Sequence, residues 1–153
     1  MSQRNLSWRH FAAVGTLCLL GACAQTGSRA VASNPPPVPP GPNATWYHIE
    51  FGANSRAIDA AGQATVADVT AFMQKNPESI ATIIGKTDTV GSPDYNMHLS
   101  HLRADAVRDA LVYNASIAAD RVETRWTGET RQHVATSTDV AMASNRVVDI
   151  AIH

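Results

Sequence analysis

The sequence predicts an α+β fold: a two-layer sandwich, β-α-β-α-β-β, in which a mixed four-stranded sheet carries two helices on one face. Three observations lead there. Two segments, Trp46 to Phe51 and Arg146 to Ile152, alternate apolar and polar residues as half-buried strands do. Between them, Ile80 to Lys86 (IATIIGK) is a continuous apolar run, the pattern of a central strand buried on both faces. Two longer segments with helical spacing separate the strands.

In order along the chain, Tyr47, Ile49 and Phe51 place one face of the first strand in the core. Asn54 to Arg56 form a polar loop. A helix follows from about Asp59 to Asn76, with Val66, Val69, Phe72 and Met73 as its stripe and Asn76-Pro77 as its stop. After the central strand, Ser92 is suited to cap a second helix and Pro93 to occupy its first turn. That helix runs to about Tyr113, with Asn114 as its stop. Val122, Thr124 and Trp126 alternate with Glu123 and Arg125 in a third strand. Residues 128–144 are polar and read as a long loop. In the last strand Val148, Ile150 and Ile152 share a face, and Arg146 has the same parity.

The N-terminal part is organised differently. Arg4 and Arg9 precede the apolar run Phe11 to Leu20, which is too short to span a bilayer and has the form of a secretory signal. It ends in Leu20-Gly21-Ala22-Cys23, which resembles the bacterial lipobox, with small residues before a cysteine that is acylated and becomes the mature N-terminus. Ala24 follows, where an aspartate would favour retention at the inner membrane; the expectation is an outer-membrane anchor. The two cysteines are Cys18, which leaves with the signal, and Cys23, which carries lipid, so neither a disulfide nor a cysteine-based zinc site is expected. Residues 24–45 contain prolines at 35, 36, 37, 39, 40 and 42 and favour extended polyproline II. At about 3.1 Å per residue such a tether reaches roughly 70 Å. The expected divisions are a signal at 1–22, a lipidated cysteine and linker at 23–45, and a folded domain at 46–153. Losing Arg4 and Arg9 with the signal takes the net charge from −1 to −3, which argues against nucleic acid as a partner.

The second helix carries the functional signal. At about 100° per residue, Leu99, Leu102, Ala106, Val107 and Ala110 form its apolar face, and Asp94, His98, His101, Asp105, Arg108 and Asp109 its polar face. Arg103 and Asn96 fall within the apolar stripe. A buried arginine must be paired or must face a polar cavity. Both readings stand at this point, a structural ion pair or a ligand site. The expected partner is Asp88, just beyond the central strand, where ligands of α/β sheets often bind. A carboxylate and a guanidinium facing one cleft can hold a zwitterion, the first taking an ammonium and the second a carboxylate.

Thr87-Asp88-x-x-Gly91, Tyr95-Asn96, Leu99-Ser100-x-x-Arg103-Ala104, Gly128-Glu129 and Asn145-Arg146 occur in this order. In these motifs the chain resembles the OmpA-like peptidoglycan-binding family over roughly residues 46–153. The resemblance implies non-covalent binding of the meso-diaminopimelate of the peptidoglycan stem peptide, gripped by Asp88 and Arg103 and lined by Asn96 and Thr87. The lipid anchor would tether the outer membrane to the cell wall. Three departures are present: the last strand opens Asn145-Arg146-Val147-Val148, where the family usually has a second arginine; Lys86 stands where histidine or tyrosine is common; and Gly52 to Ile58 reads GANSRAI after Phe51. Arg146, on the inward face, remains able to reach the site.

An enzyme is the rival class. No serine lies in a Gly-x-Ser-x-Gly setting, and Glu50 and Glu129 are not brought together by anything in the sequence. His98, His101 and Asp94 could be imagined as a surface metal site, but a solvated helix face explains them better. No cofactor, metal or catalytic residue is therefore expected. The alternative function is that of an OmpA-like subunit in a larger envelope complex, acting through protein contacts at Trp46 and the 129–144 loop.

Overall fold

The computed structural model describes residue 41 and residues 43–153. The expected signal at 1–22, the acylated Cys23 and almost all of the linker lie outside the described residues. Among the described residues no helix is long and apolar enough to cross a membrane.

The strands are β1 (Thr45–Glu50), β2 (Ala81–Gly85), β3 (Val122–Trp126) and β4 (Val147–Ile152); the helices are α1 (Ala60–Lys75) and α2 (Pro93–Asp109). The sheet order is β1-β4-β2-β3. β4 runs antiparallel to both β1 and β2, and β2 and β3 are parallel. This is the expected α+β arrangement with its mixed sheet. The last strand in sequence therefore lies inside the sheet, and all six of its residues are buried, Asp149 on the outer face beneath His48, Lys86 and His133. β1 begins one residue earlier than the expected domain start. Phe51 lies just past its end, although its N–H still bonds the Arg146 carbonyl at 2.7 Å.

The helix ends are closed as the residue types require. The Asp59 carboxylate accepts from the Gly62 N–H at 2.8 Å, and the Asn76 amide donates to the Phe72 carbonyl at 2.8 Å. Ser92 Oγ accepts from the Tyr95 N–H at 3.3 Å at the start of α2, with Pro93 in the first turn. α2 then widens into one π-helical turn, Ala110–Asn114, before the chain leaves the helix. The Arg121 guanidinium donates to the carbonyls of Met73, Asn76 and Ser79, binding the C-terminal end of α1 to the start of β3.

The core lies between the helices and one face of the sheet. Ile49, Phe51, Ile83, Val148, Ile150 and Ile152 from the sheet meet Val66, Val69, Met73, Val107 and Leu111 from the helices. Each such side chain contributes about 1.5–3 kcal/mol by leaving water. α2 approaches β2 unusually closely: a Cβ on Gly85 would sit 2.0 Å from the Ser100 carbonyl oxygen. Only glycine permits that approach, and it brings Arg103 over the end of β2.

The expected orientation of α2 needs correction. Its buried residues are Asn96, Leu99, Ser100, Arg103, Ala104 and Val107, whereas Leu102 and Ala106 are only partly buried. The buried face is rotated away from the purely apolar stripe, and Arg103 and Asn96 lie inside it. Arg146 also departs from expectation. It precedes β4 and follows a short 3-10 turn, Ala143–Asn145, with non-strand backbone angles, so strand parity does not govern its direction.

Candidate functional site

The end of β2, the first turns of α2, the loop after β1 and the approach to β4 converge on one cleft of about 310 Å³. Asn54, Asp88, Val90, Tyr95, Asn96 and Leu99 line it. Its walls are positioned by ordinary features of the fold. Gly91, with φ of 98°, turns the chain between β2 and α2 in a conformation that favours glycine. The 129–144 segment is irregular, as expected, but it is firmly tied. Thr89 Oγ donates to the Ser137 carbonyl at 2.6 Å and accepts from the Val140 N–H at 3.0 Å. The buried Asn145 amide bonds both the N–H and the carbonyl of Val134, at 2.9 and 2.7 Å.

Arg103 is the largest fully buried side chain, with no accessible surface. Its Nε donates to the Ser55 carbonyl at 2.8 Å, Nη1 to the Lys86 carbonyl at 3.0 Å and Nη2 to the Gly52 carbonyl at 2.9 Å. The guanidinium carbon stands 5.3 Å from the centre of the Phe51 ring, a cation–π distance. Burial lowers the Arg103 pKa to about 10; the Asp88 charge opposes this and the Arg146 charge adds to it. Arg103 is thus a cation at neutral pH, held by carbonyl dipoles rather than by a direct carboxylate contact.

The expected Asp88–Arg103 pair is therefore not the pair that forms. Asp88 Oδ2 accepts from Arg146 Nη1 at 3.0 Å and from the Met142 N–H at 3.2 Å. Arg146 Nε also donates to the Phe51 carbonyl at 3.2 Å. The physical reason is that two carbonyls of the loop Gly52–Ser55 and the Lys86 carbonyl at the end of β2 take up the Arg103 guanidinium, while Arg146 bonds both the Phe51 carbonyl and Asp88. Asp88 is thus flanked by two guanidinium charges, while a second carboxylate, Glu129, is bonded to Asn96 of the cleft wall. Asp88 is 7% exposed and lines the cleft; the Arg146 side chain, 17% exposed, does not line it and adjoins it through Asp88, while Arg103 has no accessible surface.

Asn96 lines the cleft but is almost fully buried, its amide donating to Glu129 Oε2 at 2.6 Å. Thr87 is buried and does not line the cleft; its Oγ1 has no hydrogen-bond partner among the described residues. The structure adds Asn54, Tyr95 and Glu129 to the site. The Tyr95 hydroxyl hydrogen-bonds the Asn54 side chain, closing the loop after β1 over the cleft, and Asn54 takes a positive φ of 50° to do so. The signal for Tyr95 and Glu129 was present, since both belong to the short motifs, but their bonding was not. His98 and His101 do not converge on Asp94. His101 instead stacks on Trp126 with ring centroids 3.8 Å apart and pairs with Asp105 at 3.2 Å.

Comparison with known proteins agrees with this architecture. A model of the OmpA family matches residues 50–146. The Escherichia coli K12 protein named Probable lipoprotein YiaD is 32% identical over 105 residues, covering 69% of this chain and 48% of that protein. The peptidoglycan-associated lipoprotein of Brucella melitensis is 31% identical over 98 residues, covering 64% of this chain and 58% of that one. The chain thus spans about half the length of these curated relatives. Among solved structures, the peptidoglycan-associated lipoprotein from Burkholderia pseudomallei superimposes with a TM-score of 0.64 at 24% identity, over 69% of this chain and 89% of that chain, and shares the fold. The matched region contains Asp88, Asn96, Arg103 and Arg146, and by that match the chain belongs to the OmpA family.

Proposed function

We propose that this chain is a non-enzymatic, lipid-anchored protein of the outer membrane that binds peptidoglycan through the meso-diaminopimelate of the stem peptide and so tethers membrane to wall. The observation that carries this is the charge arrangement at the cleft. Asp88 presents a carboxylate to it, and two guanidinium groups, Arg103 and Arg146, stand behind and beside that carboxylate. Diaminopimelate ends in a carbon bearing both an ammonium and a carboxylate. The ammonium pairs with Asp88. The carboxylate meets the remaining positive charge, with Arg146 as the accessible donor and Arg103 acting through its field from behind. Asn96, fixed by Glu129, offers its polar edge, and Thr87 lies buried behind the cleft with its N–H on the Gly128 carbonyl at 2.9 Å. Names of relatives support the reading: the Brucella protein is called a peptidoglycan-associated lipoprotein, and a Mycobacterium bovis relative, 31% identical over 105 residues, is called a peptidoglycan-binding protein. Of the two carboxylates weighed above as an acid/base pair, Glu129 is bonded to Asn96 and Glu50 is exposed on β1, and binding rather than catalysis is the reading the relatives' names support.

The test is retention of the full-length chain on purified sacculi of diaminopimelate type and of lysine type. Lysine offers the ammonium without the second carboxylate. Retention on the first and little on the second is expected. Equal retention on both, or none on either, would refute the assignment of the ligand.

A further inference from the structure

A second cluster lies on the sheet face away from the core formed with the helices, and the function proposed above makes no use of it. His48 of β1 and Asp149 of β4 are directly paired across neighbouring strands. His133 reaches the same carboxylate from the 129–144 segment. His48 Nδ1 lies 2.7 Å from Asp149 Oδ1, and His133 Nε2 lies 2.9 Å from Asp149 Oδ2. The two rings stand edge to face, 88° apart, with centroids 5.5 Å apart. Asp149 is 3% exposed, whereas both histidine side chains reach solvent.

We infer that His48, His133 and Asp149 form a binding site for a divalent transition metal of the zinc type. One ligand atom from each residue can be chosen so that all three lie within 4.8 Å of one another. Two imidazoles and a carboxylate are the ligand set that suits Zn²⁺, and three protein ligands leave a fourth position for water. Zinc–nitrogen bonds of about 2.0–2.1 Å place tetrahedral ligands roughly 3.3 Å apart. The present nitrogen–oxygen distances are a few tenths of an ångström shorter, because each is now a hydrogen bond. The metal takes the place of the two shared protons, which pass to the other nitrogen of each ring or to water, and small rotations of two solvent-facing rings admit it. The buried carboxylate is held in place by its contacts with both histidines and with Lys86.

Lys86 supplies a sharper test than loss of a ligand. Its Nζ lies 2.7 Å from Asp149 Oδ2. As a hydrogen-bond donor it orients the carboxylate, but its charge repels a dication. Removal of that charge should tighten the site, an effect that an unrelated surface site would not show.

The experiment is calorimetric titration of Zn²⁺ into the untagged, chelator-treated full-length chain. A single saturable site is expected, weakened by roughly tenfold or more in His48→Gln and in His133→Gln, tightened in Lys86→Met, and unchanged in a His98→Gln/His101→Gln control. In parallel, ring ¹⁵N resonances of the unmodified protein should shift on zinc addition at His48 Nδ1 and His133 Nε2, which decides the matter even if a variant folds poorly. No saturable binding, binding that survives both glutamine variants, or shifts confined to other histidines would overturn the proposal.

Discussion

Replacing Asp88 by asparagine removes one charge and almost no volume from the cleft. The amide oxygen can still accept from the Met142 N–H, at 3.2 Å in the parent. What is lost inside the protein is the 3.0 Å contact with Arg146, whose side chain is 17% exposed and can turn toward water. A hydrogen bond to a charged group is worth about 1.5–3 kcal/mol, and part of that is recovered by solvation, so the domain should lose about 1–2 kcal/mol of stability. For a domain of this size that is a fall in Tm of roughly 4–15 °C, leaving it folded. Binding should suffer more. The ligand ammonium loses its counter-ion and meets two guanidinium groups with nothing between, which costs about 2–5 kcal/mol, or roughly thirty-fold to several thousand-fold in affinity. Thermal unfolding and sacculus retention, measured on the same purified protein, check both numbers. A folded Asp88→Asn variant that binds sacculi within about threefold of the parent would refute the ligand role of Asp88.

Gly85→Ala should be among the most damaging single-methyl changes in the domain. Its Cβ would sit 2.0 Å from the Ser100 carbonyl, and forcing α2 away from β2 should cost about 3 kcal/mol or more, read as loss of soluble folded protein or a large fall in Tm. Cys23→Ala should abolish incorporation of radiolabelled palmitate; equal labelling of parent and variant would eliminate the proposed anchor. Replacing residues 35–42 with an equally long Gly/Ser stretch should leave sacculus retention of the purified chain intact while shortening the mean reach of the tether. Loss of retention would show that the proline run belongs to the binding site.

The strands were legible because a half-buried strand must alternate, and a strand buried on both faces must not. β3 falls on the expected residues, β2 lies within its expected run, β1 is displaced by one residue at both ends, and β4 starts one residue later. The helix ends were legible because Asp59, Asn76, Ser92 and Pro93 have few better uses. The face of α2 was not. Weighting apolar residues alone centred it on Leu102 and Ala106, whereas the buried face includes Asn96, Ser100 and Arg103. Buried polar groups are tolerated when they are bonded. Here the partners are Glu129, Gly128 and the carbonyls of Gly52, Ser55 and Lys86, which are 17 to 51 residues distant in sequence. No local pattern reveals them. For the same reason Asp88 could be placed beside Arg103 and Arg146 within reach of the site, but nothing local shows that Asp88 pairs with Arg146, 58 residues away. His48 and His133 were invisible as a pair, because only the internal position of β4 brings Asp149 between them.

Arg103 ties folding and binding together in a way that Asp88 does not. Its bonds to the Gly52 and Ser55 carbonyls fix the loop that carries Asn54, whose side chain meets the Tyr95 hydroxyl across the cleft. The same guanidinium supplies the charge behind Asp88. Truncation to alanine therefore removes the loop's anchor, the charge and a large buried volume at once, and should destabilise the domain by about 3–5 kcal/mol. Loss of sacculus binding by Arg103→Ala would consequently not distinguish a ligand contact from a loosened cleft. Arg103→Lys is more informative. It keeps a positive charge on a flexible stem but not the planar fork that meets three carbonyls in fixed directions. If Arg103 acts mainly through its field, the lysine variant should lose loop order, seen as faster amide exchange at residues 52–55, while retaining most of its sacculus binding. If the guanidinium itself must engage the ligand after the loop opens, binding should fall as far as in Asp88→Asn even where the variant stays folded. The second outcome would contradict the placement of Arg146, rather than Arg103, as the donor that meets the ligand carboxylate.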